Sequence, residues 1–193
     1  PRIERALERH NDDHCDVSVY LPPRSKEGKG RMRDPLKDPA KGIRGVFGYI
    51  KTAVTAPPRN FVVFIDREHL WELDRERLSV VEYISKRAQD YGIGVNVQRL
   101  TDNTYRVCGR VGDKGFLTYF IFVGNCCMED LILGACRRLT EEVRGPGCCR
   151  KYKEALKKLP QEKRRACEDR ALDYLFREFL NALDDYRRNP CTN

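Results

Sequence analysis

The sequence Phe116-Leu-Thr-Tyr-Phe-Ile-Phe-Val123 is the stretch that decides the fold. In a β-strand alternate side chains point to opposite faces. Three phenylalanines therefore share one face, and Leu117, Tyr119 and Ile121 share the other. Because both faces are apolar, the stretch predicts a buried central strand. It is the longest apolar stretch of the chain and much shorter than the roughly 18 residues of a membrane span, so we expect no membrane-spanning segment.

The segments on either side of this strand predict an alternating order of elements. Residues 61–65 are short and rich in β-branched and aromatic side chains, which favours a buried strand. Apolar residues at helical spacing predict a helix over 72–91, and turn residues then bound two strands at 93–100 and 104–111. A second helix over 128–143 follows the central strand. The order β-α-β-β-β-α predicts an α+β fold, with helices on one face of a small antiparallel sheet.

The charge pattern divides the 193 residues into three regions. Residues 1–60 carry a net charge of +5, residues 61–145 carry −1 and residues 146–193 carry +4, within a total of +8. We therefore predict a nearly neutral α+β core with a basic region on each side.

The first region predicts a basic, largely extended N-terminal arm. Residues 21–41 contain four prolines and two glycines with scarcely an apolar anchor. Such a segment cannot offset the entropy lost on ordering by burying apolar surface. Residues 42–54 are more apolar and predict a short docking helix or strand before Pro57 and Pro58.

The last region predicts a helical hairpin, with helices over 149–159 and 161–187 on either side of Pro160. Seven of the nine cysteines of the chain lie from Cys126 onward, many of them near the predicted helix ends. A chain of this length buries roughly 70% of its unfolded surface and needs no disulfide merely to fold. We therefore interpret these thiols as staples of the C-terminal half. The disulfide candidates are Cys126, Cys127, Cys136, Cys148, Cys149, Cys167 and Cys191.

Zinc binding is the competing use for cysteine, and the spacings do not favour it. Structural zinc sites usually take close pairs of ligands from two short turns. No C-x2-C or C-x4-C pair occurs, and the three histidines lie far upstream of the cysteine-rich half. We therefore predict no metal and no cofactor.

The composition leaves two compartments open. Only four serines and three glutamines occur beside 34% charged residues, which suits a protein working at high temperature. Hyperthermophiles are also the exception in which intracellular proteins carry disulfides. This reasoning favours the interior or a virion of a thermophile. The alternative is a secreted protein, which the cysteine doublets also fit, although the first twenty residues show no secretory signal.

Two basic surfaces predict a polyanionic partner, nucleic acid above all. Each phosphate that a cation neutralises releases condensed counterions, and this release favours the binding of a flexible basic arm or a cationic helix. The alternatives are a solvated linker for the arm and a solubilising face for the helices. We also expect the arm to contact other subunits in self-association. The predicted nucleic-acid-binding residues are Arg24, Lys26, Lys29, Arg31, Arg33, Lys37, Lys41, Arg44, Arg150, Lys151, Lys153, Lys157, Lys158, Lys163, Arg164 and Arg165.

An acidic group at the end of the first strand is the one candidate for catalysis. Asp66 follows that strand directly, a common position for a metal-binding carboxylate, with Glu68 and His69 nearby and Glu129 or Asp130 as further ligands. No second motif supports it, and no serine elbow, cysteine and histidine pair or phosphate loop is visible. We therefore predict no catalytic residue.

These observations favour a non-enzymatic protein that binds nucleic acid through the phosphate backbone, with a structural role in a packaging or coat assembly as its extension. One alternative is a secreted, disulfide-rich effector or toxin that acts on an anionic surface or membrane. The other alternative is a metal-dependent nuclease centred on Asp66.

Overall fold

The computed structural model describes residues 43–55, 60–70, 73, 78–136 and 147–189. In that part of the chain a four-stranded sheet is combined with helices, which confirms the predicted α+β class. No helix among the described residues is long and apolar enough to cross a membrane. The elements are α1 (Ile43–Ala53), β1 (Asn60–Asp66), a 3-10 turn (Arg67–Leu70), α2 (Val80–Gln89), β2 (Gly94–Arg99), β3 (Thr104–Val111), β4 (Lys114–Val123), α3 (Met128–Ala135), α4 (Cys148–Lys157) and α5 (Gln161–Arg188).

The strands are ordered β1-β4-β3-β2, with β4 inside the sheet. Strands β2, β3 and β4 form an antiparallel meander, whose second hairpin turns through Gly112 at a φ of 61°. Strand β1 pairs with β4 in parallel, so the sheet is mixed, which corrects the prediction of an antiparallel sheet. A hairpin forces antiparallel neighbours, whereas β1 is followed by a crossover through α2 and can pair in parallel.

Strand β4 is buried on both faces, as its sequence predicts. Phe116, Phe120 and Phe122 pack in one cluster with side chains of α1 and α2. On the opposite face, Leu117, Tyr119 and Ile121 pack in a second cluster with Ala182 and Tyr186 of α5. The prediction of helices on one face only is therefore wrong. The second face is as apolar as the first, and water cannot cover it without a cost in free energy.

Helix α1 docks on the first face through Ile43, Phe47 and Ile50, which are fully buried. This result agrees with the predicted docking helix and shows that the region 1–60 is not extended throughout. Residues 1–42 and 56–59 of that region lie outside the described residues.

Polar contacts fix α5 on the second face of the sheet. The hydroxyl of Thr104 donates to Glu178 of α5 at 2.9 Å. About two turns further along α5, Asp185 accepts a hydrogen bond from the Tyr119 hydroxyl at 2.7 Å. This hydrogen bond and burial raise the pKa of Tyr119. These two hydrogen bonds fix the position of the long helix along the sheet, which apolar packing alone would specify less well.

Two disulfides connect the C-terminal helices to the core. Cys126–Cys148 joins the loop after β4 to the start of α4, and Cys136–Cys167 joins the end of α3 to α5. These two bridges therefore connect the predicted helical hairpin to the core. Neither of them joins one helix of the hairpin to the other. Both lie in an apolar cluster, here called the cysteine-rich cluster, formed by Cys126, Cys127, Ile132, Leu133, Cys148, Cys149, Tyr152, Leu156, Leu159, Cys167 and Ala171.

The remaining cysteines correct the list of predicted bridges. Cys108 in β3 is disulfide-bonded although its position did not suggest it. Cys127 and Cys149 are free thiols, which make hydrogen bonds with each other and with Glu129. Cys191 lies outside the described residues.

Two glycines in neighbouring strands give a matched test of the packing. A Cβ atom on Gly109 would lie 2.5 Å from the Phe116 ring and 2.9 Å from Val95, whereas one on Gly94 would meet nothing within 4 Å. Because the Phe116 ring is buried and cannot move aside, we expect Gly109→Ala to lower the free energy of unfolding by about 1–3 kcal/mol. Gly94→Ala should change it by less than about 1 kcal/mol. Urea denaturation measures both, and equal losses would contradict the packing.

Candidate functional site

The site forms where the parallel strands β1 and β4 end side by side. Asp66 is the last residue of β1, and its register partner in β4 is Val123. The Asp66 carboxylate accepts a hydrogen bond from the backbone N–H of Met128 at 3.0 Å. The next residues of the chain are tied to the same loop, since the N–H of Glu68 donates to the carbonyl of Cys126 at 2.7 Å. The parallel pairing thereby brings the end of β1 to the start of α3.

Asp130 holds the loop between β4 and α3. Its buried carboxylate accepts hydrogen bonds from the backbone N–H groups of Asn125 at 2.8 Å, Cys126 at 3.3 Å and Cys127 at 2.9 Å. The loop starts at Gly124, whose φ of 65° is left-handed and whose missing side chain leaves room for Asp130. Asp130, predicted as an alternative metal ligand, is thus occupied in shaping the loop.

The other predicted carboxylates do come together. Burial raises the pKa of Asp66, and the nearby negative charges of Glu129 and Glu68 raise it further. The hydrogen bond from Met128 and the charge of His69 act in the opposite direction. An oxygen of Asp66, an oxygen of Glu68 and the sulfur of Cys149 all lie within 4.8 Å of one another. Asp66 and Glu68 are therefore close together, and the metal-dependent nuclease centred on Asp66 stays an untested alternative.

The two free thiols lie at the N-termini of two helices, beside the acidic cluster. Cys127 is the N-cap of α3, and Cys149 is in the first turn of α4. The Cys149 thiol donates to the Glu129 carboxylate at 3.4 Å. Burial raises the pKa of both thiols, so both are protonated at neutral pH. The sulfur atoms of Cys127 and Cys149 and an oxygen of Glu129 lie within 4.8 Å of one another.

A cleft of about 440 Å³ opens beside these groups and is called the basic cleft below. Glu68, Glu129 and Cys149 line its buried side. Lys153 reaches across to Glu129, with 3.8 Å between nitrogen and oxygen, and the charge of Glu129 raises the pKa of Lys153. The exposed cations that line the cleft are Arg150, Lys153, Lys157 and Arg164. The carboxylates and thiols can hold a metal ion, and the cations of the rim can attract an anion.

All eight predicted cations of the C-terminal region are exposed. Three of them pair with carboxylates: Lys153 with Glu129, Lys157 with Glu154 and Arg164 with Glu168. Within the described ranges, the other five make no ion pair, and these are Arg150, Lys151, Lys158, Lys163 and Arg165.

The predicted cations of the arm are mostly beyond the described residues. Arg44 is described: it lies on α1 and pairs with Asp90 at 3.7 Å, so it belongs to the helix packed on the sheet. The arm residues outside the described ranges are Arg24, Lys26, Lys29, Arg31, Arg33, Lys37 and Lys41.

Sequence reasoning missed the pair of free thiols because it looked for ligands close together in the chain. Cys127 and Cys149 come from two different helices and meet only in the fold. A signal was nevertheless present in the two doublets. Bonding the first cysteine of one doublet to the first of the other, as in Cys126–Cys148, places the second members side by side.

Comparisons of this chain with known protein families, characterised proteins and solved structures find no match.

The hydrogen bonds of Asp130 lead to a stability prediction. Asp130→Asn keeps the size of the side chain but removes its charge and one acceptor oxygen, so buried N–H groups lose partners. We expect the free energy of unfolding to fall by about 2–3 kcal/mol, measured by urea denaturation. The control is Asp184→Asn, since Asp184 is exposed on α5, and it should cost less than about 0.5 kcal/mol. Similar losses in the two variants would contradict the bracing role of Asp130.

Proposed function

We propose that the protein binds nucleic acid through backbone phosphates, and that the basic cleft and the adjoining surface of α4 and α5 form the contact. The observation that carries this proposal is the set of five exposed cations without ion-pair partners among the described residues. One of them, Arg150, lines the cleft together with Lys153, Lys157 and Arg164. Exposed like charges at close spacing repel one another, and a bound polyanion relieves that repulsion.

The spacing of the cations on α4 suits a nucleic-acid strand. Arg150, Lys153 and Lys157 are separated by three and four residues and so share one face of the helix. At 1.5 Å per residue the row is roughly 10 Å long, which matches about three nucleotide steps of 3.4 Å in a strand of duplex DNA. Arg164 of α5 also lines the cleft, so phosphates can be contacted from two helices.

The size of the cleft supports the entry of one residue of the polymer. A volume of about 440 Å³ lies within the range of roughly 300–1,000 Å³ typical of small-ligand pockets. A nucleotide-sized group therefore fits between the cations. Contacts of this kind recognise phosphate and carry no sequence information.

The proposal has a further part, which concerns the N-terminal arm and a packaging or coat assembly. A basic arm within residues 1–60 would add phosphate contacts and link neighbouring subunits in a packaging or coat assembly. An origin in a thermophile or its virus, and a secreted effector as the alternative, stay predictions.

A charge-matched pair of variants tests the proposed contact. The cleft variant carries Gln in place of four cations, which are Arg150, Lys153, Lys157 and Arg164. The control variant carries Gln in place of four other exposed cations, which are Arg99, Arg110, Arg187 and Arg188. Binding to a labelled 20-nucleotide single strand and to the corresponding duplex is followed by fluorescence anisotropy at several salt concentrations. We expect the cleft variant to lose affinity by about 10²-fold and its duplex salt slope to fall by roughly four.

The control variant should retain most of its affinity, because its four cations lie away from the cleft lining. Equal losses in the two variants would show that only net charge matters. Absence of binding by the unmodified chain at low salt would overturn the proposal, and binding of anionic vesicles in its place would favour the effector alternative.

A further inference from the structure

The buried side of the basic cleft gathers ligand groups that phosphate binding does not use. Two thiols and two carboxylates meet there from three places in the fold: Glu68 from the 3-10 turn, Cys127 and Glu129 from the start of α3, and Cys149 from α4. We propose that these four side chains form a tetrahedral binding site for a thiophilic divalent cation, Zn²⁺ above all. This site rests on the ligand groups alone and does not depend on the proposed nucleic-acid binding, although both use the same cleft.

The distances are suitable for such a site. In a tetrahedral zinc centre with Zn–S bonds of about 2.3 Å and Zn–O bonds of about 2.0–2.2 Å, neighbouring ligand atoms are roughly 3.5–3.8 Å apart. The ligand atoms of Cys127, Glu129 and Cys149 already lie within 4.8 Å of one another. A closure of about 1 Å by side-chain rotation therefore brings these three atoms to bonding distance of one ion. Glu68, whose oxygen lies within 4.8 Å of the Cys149 sulfur, turns toward the ion to supply the fourth bond.

Glu68 is the fourth ligand rather than Asp66. Both carboxylates lie within 4.8 Å of the Cys149 sulfur. An oxygen of Asp66 is engaged by the backbone N–H of Met128, at 3.0 Å, whereas the side chain of Glu68 lines the cleft. Asp66 thus positions the start of α3, and Glu68 coordinates the metal ion.

The site is held in place before the ion arrives. The disulfide Cys126–Cys148 joins the residues that directly precede Cys127 and Cys149, so the two thiols cannot move apart. Asp130 accepts a hydrogen bond from the backbone of Cys127, and Lys153 contacts Glu129 at 3.8 Å. Such supporting contacts orient ligands and strengthen metal binding.

The thiols select the kind of ion. Thiolate ligands favour Zn²⁺ and similar ions, whereas Mg²⁺ and Ca²⁺ require oxygen ligands. On binding, each thiol gives its proton to water, so two Zn–S bonds form and two protons leave for each ion bound. Both thiolates lie at helix N-termini, where the helix dipole stabilises negative charge.

The test titrates the full chain, purified without reductant and freed of metal with a chelator, with Co²⁺ and then Zn²⁺. We expect one Co²⁺ per chain, with the thiolate-to-cobalt charge-transfer band and the intense visible bands of a tetrahedral centre, and displacement by Zn²⁺. Cys149→Ser should lose about half of the charge-transfer intensity, and the affinity should fall at least about 100-fold.

Glu129→Gln keeps both thiols and should weaken Co²⁺ binding by at least about 10-fold, which covers the case in which a cysteine variant fails to fold. Glu154→Gln is the matched control, because Glu154 also lines the cleft but lies outside the ligand set, and it should bind Co²⁺ as the unmodified chain does.

Three outcomes would overturn the site. One is the absence of a thiolate-to-cobalt band although Cys127 and Cys149 react with an alkylating agent. Another is a Cys127–Cys149 disulfide found by peptide mapping of the native protein. The last is an equal loss of Co²⁺ affinity in Glu154→Gln and Glu129→Gln, which would indicate general attraction of cations to the cleft.

Discussion

Strand β4 carries large apolar side chains on both faces, and each one left in water would forfeit about 1.5–3 kcal/mol. This requirement arranges the elements around it. Helices α1 and α2 cover the phenylalanine face, α5 covers the other, and β1 and β3 protect the two edges of the strand. The direction of β1 then matters for the site, because only a parallel partner brings Asp66 to the end of β4 where the Asp130 loop begins.

The cleft and its ligand groups are assembled from elements that are distant in the chain. The 3-10 turn after β1 supplies Glu68, α3 supplies Glu129, and α4 supplies Cys149 and three of the rim cations. The disulfide Cys126–Cys148 brings α3 and α4 together at their N-termini. Positive helix ends and cations thus surround a small group of carboxylates and thiols. The two proposals made for this cleft, phosphate at the rim and a metal ion on the buried side, rest on this arrangement.

Local signals in the sequence located the strands and helices, although the helix predicted over 72–91 is interrupted at residues 78–79 and α2 begins at Val80. They did not reveal which distant segments pair. Alternation of side chains revealed that β4 is buried on both faces, and helical spacing located α2, α3 and α5. The acidic position at the end of β1 was also visible. Parallel pairing of β1, the cover that α5 provides and the meeting of Cys127 with Cys149 all depend on tertiary contacts. No periodicity within a segment specifies such contacts.

Helix α5 has 28 residues and is therefore about 42 Å long. Near one end Cys167 and Ala171 belong to the cysteine-rich cluster, and near the other Ala182 and Tyr186 pack on β4. A continuous helix of this length acts as a strut, so its cleft end cannot shift without disturbing side chains against the sheet. We therefore expect the C-terminal helices not to unfold separately from the sheet. Local unfolding at the cleft should cost nearly as much free energy as unfolding the sheet itself.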